Sequence, residues 1–221
     1  MLAPGEGVRV AGADVWKGRW VVVVLRGGRF STAFVAPTVA AALEQLEDVH
    51  AFGVDIPVGL PAPGERRLSD ELARKIVGPR WASVFSTPSQ DQVEAASYAE
   101  ARQSGSITAQ AYGLARHILA VQPVALADQR VHEVHPEVSF ATANGGRPLE
   151  WSKTTWNGVN QRRRILAARG IRIPDALLDA GRAGVADVLD AAVVAWSATR
   201  IAAGTAERIP EGEGRIGAIW C

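Results

Sequence analysis

Near its start the chain carries three β-rich runs with almost nothing between them: "VRVAGAD" (Val8–Asp14), "RWVVVVLRG" from Arg19 and "RFSTAFVA" from Arg29. Gly27 and Gly28 separate the second from the third, and a glycine pair between β-rich runs is a hairpin signal. The first connection is just as short. A parallel return needs a crossover of a dozen or more residues, so these runs predict an antiparallel meander.

Beyond the meander, helical and extended patterns alternate. "TVAAALEQLEDV" from Thr38 has helical spacing, with Thr38 placed as an N-cap. "AFGVDIPVGLP" (51–61) then reads as a buried strand ending in a turn built from Pro57, Gly59 and Pro61. Reached through a helix, it is expected to lie parallel to the first strand. Helical patterns cover 64–78, closing on Gly78, and 106–121, with "WASVFSTPSQD" as a loop between them. "RVHEVHPEVSF" (130–140) begins as a fifth strand, and further helices come at 158–170 and 184–204. Three strands, helix, strand, helices, strand, helices is the order of the ribonuclease H-like fold. The expectation is one α/β domain over 1–221, with a mixed five-stranded sheet, helices on both faces and a helical insertion at roughly 60–128.

With 48% hydrophobic and 21% charged residues among 221, the composition is that of a soluble chain with one sizeable core. The formal net charge is +1, so a polyanion would be met by a local patch or through metal ions, not by the field of the whole molecule. The single cysteine, Cys221, excludes a disulfide scaffold and cysteine metal cages, and fits a reducing cytoplasm. No stretch approaches 18 uninterrupted apolar residues, which argues against a membrane span, and "MLAPGEGVRV" lacks the pattern of a secretory leader.

Asp55 is the residue that asks for an explanation, because an ionised carboxylate among apolar neighbours is costly unless something pairs with it. Asp14 ends the first strand and Asp55 ends the strand expected beside it. Parallel neighbours place their C-terminal ends together, where open α/β sheets bind ligands. On the last helix Asp187 and Asp190 share a face, and Ala191 and Ala192 leave room for close packing on the sheet. Four carboxylates are thus expected to converge from three segments. Two of them 4 Å apart repel by about 4 kcal/mol at an effective dielectric near 20, a penalty that a cation reverses. An oxygen-only ligand set selects a hard ion, Mg²⁺ or Mn²⁺, and a pair of such ions about 3.5 to 4 Å apart is suited to phosphodiester hydrolysis. The competing readings are a turn-forming role for Asp14, an arginine partner for Asp55 and a helix-dipole role for Asp187.

Read as a strand, "HEVHPEVSF" puts Glu133, His135 and Glu137 on one face and His132 and Val134 on the other, with Pro136 at an edge or an end. Glu137 is then a candidate further ligand. His135 is a candidate proton carrier or phosphate contact, or a structural histidine. Four histidines and one terminal cysteine argue against zinc. The basic candidates are Arg66, Arg67, Arg74 and Lys153, of which Lys153 and Arg74 are expected at phosphate; the run Arg162–Arg164 reads as a solvated helix face. Of the seven tryptophans, Trp16, Trp20, Trp151 and Trp156 lie near loops, where they either pack or stack on unpaired bases.

The stretches "GADVWKGRWVVVV", "VDIPVGLP", "RRLSDELARKIVG" with "SVFSTP", "HEVHPEVSF", "WSKTTWNG" and "ADVLDAAVVAWSA" resemble the predicted-nuclease family catalogued as domain of unknown function 429. That resemblance implies the ribonuclease H-like fold and a nuclease role with nucleic acid as substrate. Asp187 and Asp190 also look like the two acids on the last helix of Holliday-junction resolvases of that superfamily, with Asp14 and Asp55 in the strand positions. "SKTT" stands where the family more usually has a double lysine. Two other classes compete with the nuclease: a nucleotide-dependent phosphotransferase of the actin-like or sugar-kinase type, and a non-catalytic binding module on the same fold. An exposed Trp220 or a flat strand edge would support a homodimer.

Overall fold

Lys17 and Gly18 both adopt positive φ (48° and 77°), and so do Gly27 and Gly28 (55° and 75°). Two successive residues of this kind make the turn whose twist matches the strands it joins. Each turn closes without slack, with Trp16 opposite Arg19 and Arg26 opposite Arg29. The result is β1 (Arg9–Trp16), β2 (Arg19–Arg26) and β3 (Arg29–Ala36), the expected meander. The computed structural model describes residues 7–212 and 214–221, so most of the segment read for a leader lies outside the described residues. Because the first turn is so tight, β1 runs two residues past Asp14. That carboxylate sits inside a ladder opposite Val21 and does not open a loop, which corrects both the expected strand end and the turn-forming reading.

Thr38 accepts a hydrogen bond from the Ala41 amide (3.1 Å) and starts α1 (Val39–Glu44), shorter than the pattern from Thr38 suggested. β4 (Ala51–Val54) pairs parallel with β1, Gly12 opposite Gly53. Next come α2 (Leu68–Val77), α3 (Gln90–Glu94), α4 (Tyr98–Ala101), α5 (Ala109–Gly113) and α6 (Ala115–Ala127). The pattern at 106–121 is therefore two helices. Glycine is a poor helix former, and the break falls at Gly113, while the second helix continues through Pro123.

β5 (Val131–Glu133) is only three residues long, and the sheet order is β3-β2-β1-β4-β5. The segment expected to continue it turns into α7 (Pro136–Ala143). Proline has no N–H to give a ladder, and its fixed φ suits the first helical position. Glu133, His135 and Glu137 consequently do not share a strand face. Glu133 ends the strand, His135 precedes the helix, and Glu137 lies in its first turn. After α8 (Trp156–Ala168) and α9 (Val185–Ala202), β6 (Arg208–Ile209) and β7 (Ile219–Trp220) form a small second ladder.

The pleat sorts the sheet's side chains into two cores. Ala11, Ala13, Val22, Val24, Phe52 and Val54 meet Leu46, Ile118 and Val121 on one face. Val10, Val21, Val23, Leu25 and Ala51 meet Phe140, Leu166 and the small residues of α9 on the other. Two glycines let α9 lie directly on the strands. A Cβ at Gly12 would collide with the backbone of Ala191 and Ala195, and one at Gly53 would come within 2.6 Å of Val194 Cγ1. Trp20 is buried and meets His117 edge to face, which is the packing alternative of the two weighed for it, and Trp220 is half-buried against His132. Among the described residues no helix is long and apolar enough to cross a membrane.

Candidate metal centre

Side chains alternate along a strand, so the face that holds Gly12 and Gly53 also receives the residues two positions further on. Those residues are Asp14 and Asp55. The Asp55 N–H donates to the Ala13 carbonyl (2.9 Å), which carries the parallel register one step beyond β4 and sets the two carboxylates side by side. The glycines bring α9 close enough for the short side chain of Asp190 to join them. Carboxylate oxygens of Asp14, Asp55 and Asp190 all lie within 4.8 Å of one another. Asp14 and Asp190 are buried and Asp55 is partly buried.

The cluster forms one wall of a cavity of about 450 Å³, which Asp187, Glu137, His135, Lys153 and Arg80 also line. Lys153 is the nearest cation, its Nζ 2.5 Å from Asp190 Oδ2. Its loop is held firmly to α8. Thr155 donates to the Ser152 carbonyl (2.8 Å) and accepts from the Gly158 amide (3.1 Å), and Arg162 donates to the Trp151 carbonyl (3.0 Å). Gly158 is required there, since a Cβ would overlap the Ser152 carbonyl.

One ammonium does not neutralise three acids. At 4.8 Å and an effective dielectric near 20, each pair of ionised carboxylates repels by about 3 kcal/mol. Burial and then the Asp190 charge push the Asp55 carboxyl up to about 8. Burial, then Asp55 and Asp190, push Asp14 well above the usual carboxylate range. Asp190 is raised by burial although Lys153 opposes the shift. Asp190 Oδ1 is buried with no hydrogen-bond partner among the described residues. A buried orphan acceptor in an all-oxygen cluster is what a hard divalent cation fits.

The other expected site residues fall at differing distances from this centre. Asp187 lines the cavity one turn before Asp190 but outside the group of three, its carboxylate lying against Gly184 at the start of α9. Glu137 gives Oε1 to the fully buried Arg162, with Arg80 at 3.8 Å, while its Oε2 is buried and unpartnered among the described residues. His135 lines the cavity, and burial lowers its pKa to about 4, so it is neutral at pH 7. Arg74 is elsewhere, donating to the Val84 carbonyl (2.9 Å) and the Ser86 hydroxyl (2.9 Å). Arg67 is buried in an ion pair with Glu133 (2.7 Å), whose same oxygen accepts from the Val58 amide (2.6 Å). This pair ties down the loop after Asp55. The three successive arginines diverge: Arg162 is buried on Glu137, and Arg163 and Arg164 line two different surface cavities. Arg80 was missed in the sequence, where nothing distinguishes it from its exposed neighbours; only the 3-10 turn at Gly78–Ser83 brings it to the cavity.

Fold and site together define an α/β protein with a mixed five-stranded sheet, consistent with the ribonuclease H-like architecture, and with a carboxylate triad able to hold a metal ion. The chain belongs to the family described as "Protein of unknown function (DUF429)", whose profile matches residues 12–215. No curated protein and no solved structure matches it.

Proposed function

We propose that the protein is a nuclease dependent on Mg²⁺ or Mn²⁺, hydrolysing phosphodiester bonds with Asp14, Asp55 and Asp190 as the metal ligands and Asp187 beside them. One observation carries the reading: three carboxylates from three separate segments lie within 4.8 Å of one another at the C-terminal edge of the parallel strands. Bound there, a pair of divalent ions would supply an activated water and positive charge for the leaving oxygen. Lys153 and Arg80 line the same cavity and would meet the non-bridging oxygens of a phosphate. His135, neutral at working pH, offers a hydrogen bond and no charge. Glu137 orients Arg80 and Arg162.

The test is calorimetric titration with Mn²⁺ beside hydrolysis of labelled oligonucleotides, for the wild type and for Asp55→Asn. Metal binding and cleavage in the wild type, both lost in the variant, are expected. Cleavage that survives Asp55→Asn would remove the proposal.

The contact between Lys153 and Asp190 favours a second reading, a non-catalytic binding module in which the ammonium is the permanent counter-ion. On that reading the wild type takes up no Mn²⁺.

A further inference from the structure

The loop that presents Lys153 to the carboxylates has a second face. Ser152, Lys153 and Thr154 line the acidic cavity, whereas Trp151 and Trp156, at the two ends of the same loop, line another of about 500 Å³. Trp156 is 81% exposed and Trp151 41% exposed. Tryptophan normally hides most of its large surface, so two rings at the rim of one cavity mark a place where something covers them. They are held in position by the contacts that tie the loop to α8: Gln161 accepts from the Trp151 amide (3.3 Å), and Asn160 donates to the Trp156 carbonyl (2.9 Å).

The rest of the lining selects the occupant. Asn157 and Arg164 also face the cavity. Arg164 has no acidic partner among the described residues, and the positive end of the α8 dipole lies at Trp156. Glu150 is the opposing charge in the lining. Flat aromatic surface, amide groups and a free guanidinium suit a chain of π-faced units joined by anions, which describes unpaired nucleotides. A neutral oligosaccharide would use the rings and amides but would leave the Arg164 guanidinium idle.

Position adds to chemistry. Lys153 is two residues from Trp151 and three from Trp156, so at most roughly 7 and 11 Å of backbone separate it from the rings. From this we infer that the Trp151/Trp156 groove binds the unpaired bases of a single-stranded nucleic-acid segment that flanks the phosphodiester held at the carboxylates. The inference rests on the nuclease reading and names the form of its substrate: a strand with unstacked bases next to the scissile bond.

The experiment is fluorescence anisotropy of a labelled dT12 oligonucleotide and of a blunt duplex, in EDTA so that no metal-dependent cleavage intrudes. Variants are Trp156→Ala, Trp156→Phe and Arg164→Gln. Losing one stacking ring should weaken dT12 binding roughly 5- to 150-fold, and phenylalanine should restore most of it. Arg164→Gln should lower the slope of log K against log salt by about 0.7. Trp156 is exposed, so unchanged melting temperatures serve as the folding control. Equal affinity of wild type and Trp156→Ala for dT12, or preference for the duplex, overturns the inference. So does binding of a neutral oligosaccharide that Trp156→Ala abolishes while dT12 does not bind. The Mn²⁺ isotherm of the wild type reports separately on the carboxylates, so failure of the groove and failure of the nuclease reading are distinguishable.

Discussion

Asp55→Asn has an effect on stability whose sign depends on metal. In metal-free protein the folded Asp55 carboxyl titrates near 8 against a usual value of 3.8. Between those two values the native state keeps a proton that the unfolded chain has released, so native stability falls as pH rises across the window. Converted in full at 1.36 kcal/mol per pH unit, the shift corresponds to about 6 kcal/mol. Asp55 is partly exposed, and solvent screens part of this, leaving about 2–4 kcal/mol. Asparagine keeps the shape of the neutral carboxyl and removes the titration. In EDTA at pH 8.5 the variant should therefore be about 2–4 kcal/mol more stable than the wild type, seen as a higher urea midpoint at similar m. Near pH 4 the difference should vanish. Adding Mn²⁺ at a thousandfold excess over Kd should cancel or reverse the difference, because a bound ion stabilises only the form that binds it, there by about 4.1 kcal/mol. A variant no more stable than the wild type in EDTA at pH 8.5, or one stabilised equally by Mn²⁺, would refute the electrostatic reasoning.

Three other contacts have outcomes of their own. Lys153→Met removes the ammonium that competes for Asp190, so Mn²⁺ should bind more tightly by calorimetry while oligonucleotide cleavage falls; weaker Mn²⁺ binding would contradict this. Arg162→Met strands the Glu137 carboxylate in a buried site and should cost about 3–5 kcal/mol in denaturant unfolding, with Glu137→Gln in the same chain recovering part of it. Gly12→Ala drives a methyl into the α9 backbone, which has no rotamer with which to yield; a loss of about 3 kcal/mol or failure to fold is expected, read by thermal melting of the soluble fraction.

Much of the architecture was legible because it is local. Two-residue turns with Lys-Gly and Gly-Gly dictate a meander wherever they occur, and Thr38 caps its helix through a side chain three residues from its donor. The pairing of Asp14 with Asp55 was also legible, since a helical crossover implies parallel strands and side chains alternate along each. The strand beginning near Val131 was legible, but the single face expected for Glu133, His135 and Glu137 was not, because the alternation continues across Pro136. The proline's missing donor and fixed φ decide for helix, and that carries Glu137 to Arg162 and Arg80.

The order of residues by itself determined the sheet's connectivity, the strand-borne pair of acids and the face shared by Asp187 and Asp190, because each arises from periodicity within a segment. Only the tertiary structure decided which of those two helix acids joins the pair. That choice turns on how closely α9 approaches Gly12 and Gly53, and on whether Asp187 is taken up by its own helix start. It also separated Lys153 and Arg80, which reach the cavity, from Arg74 and Arg67, which do not. A guanidinium reads the same in any exposed stretch of sequence, and its partner is settled by chain segments far away that fold against it.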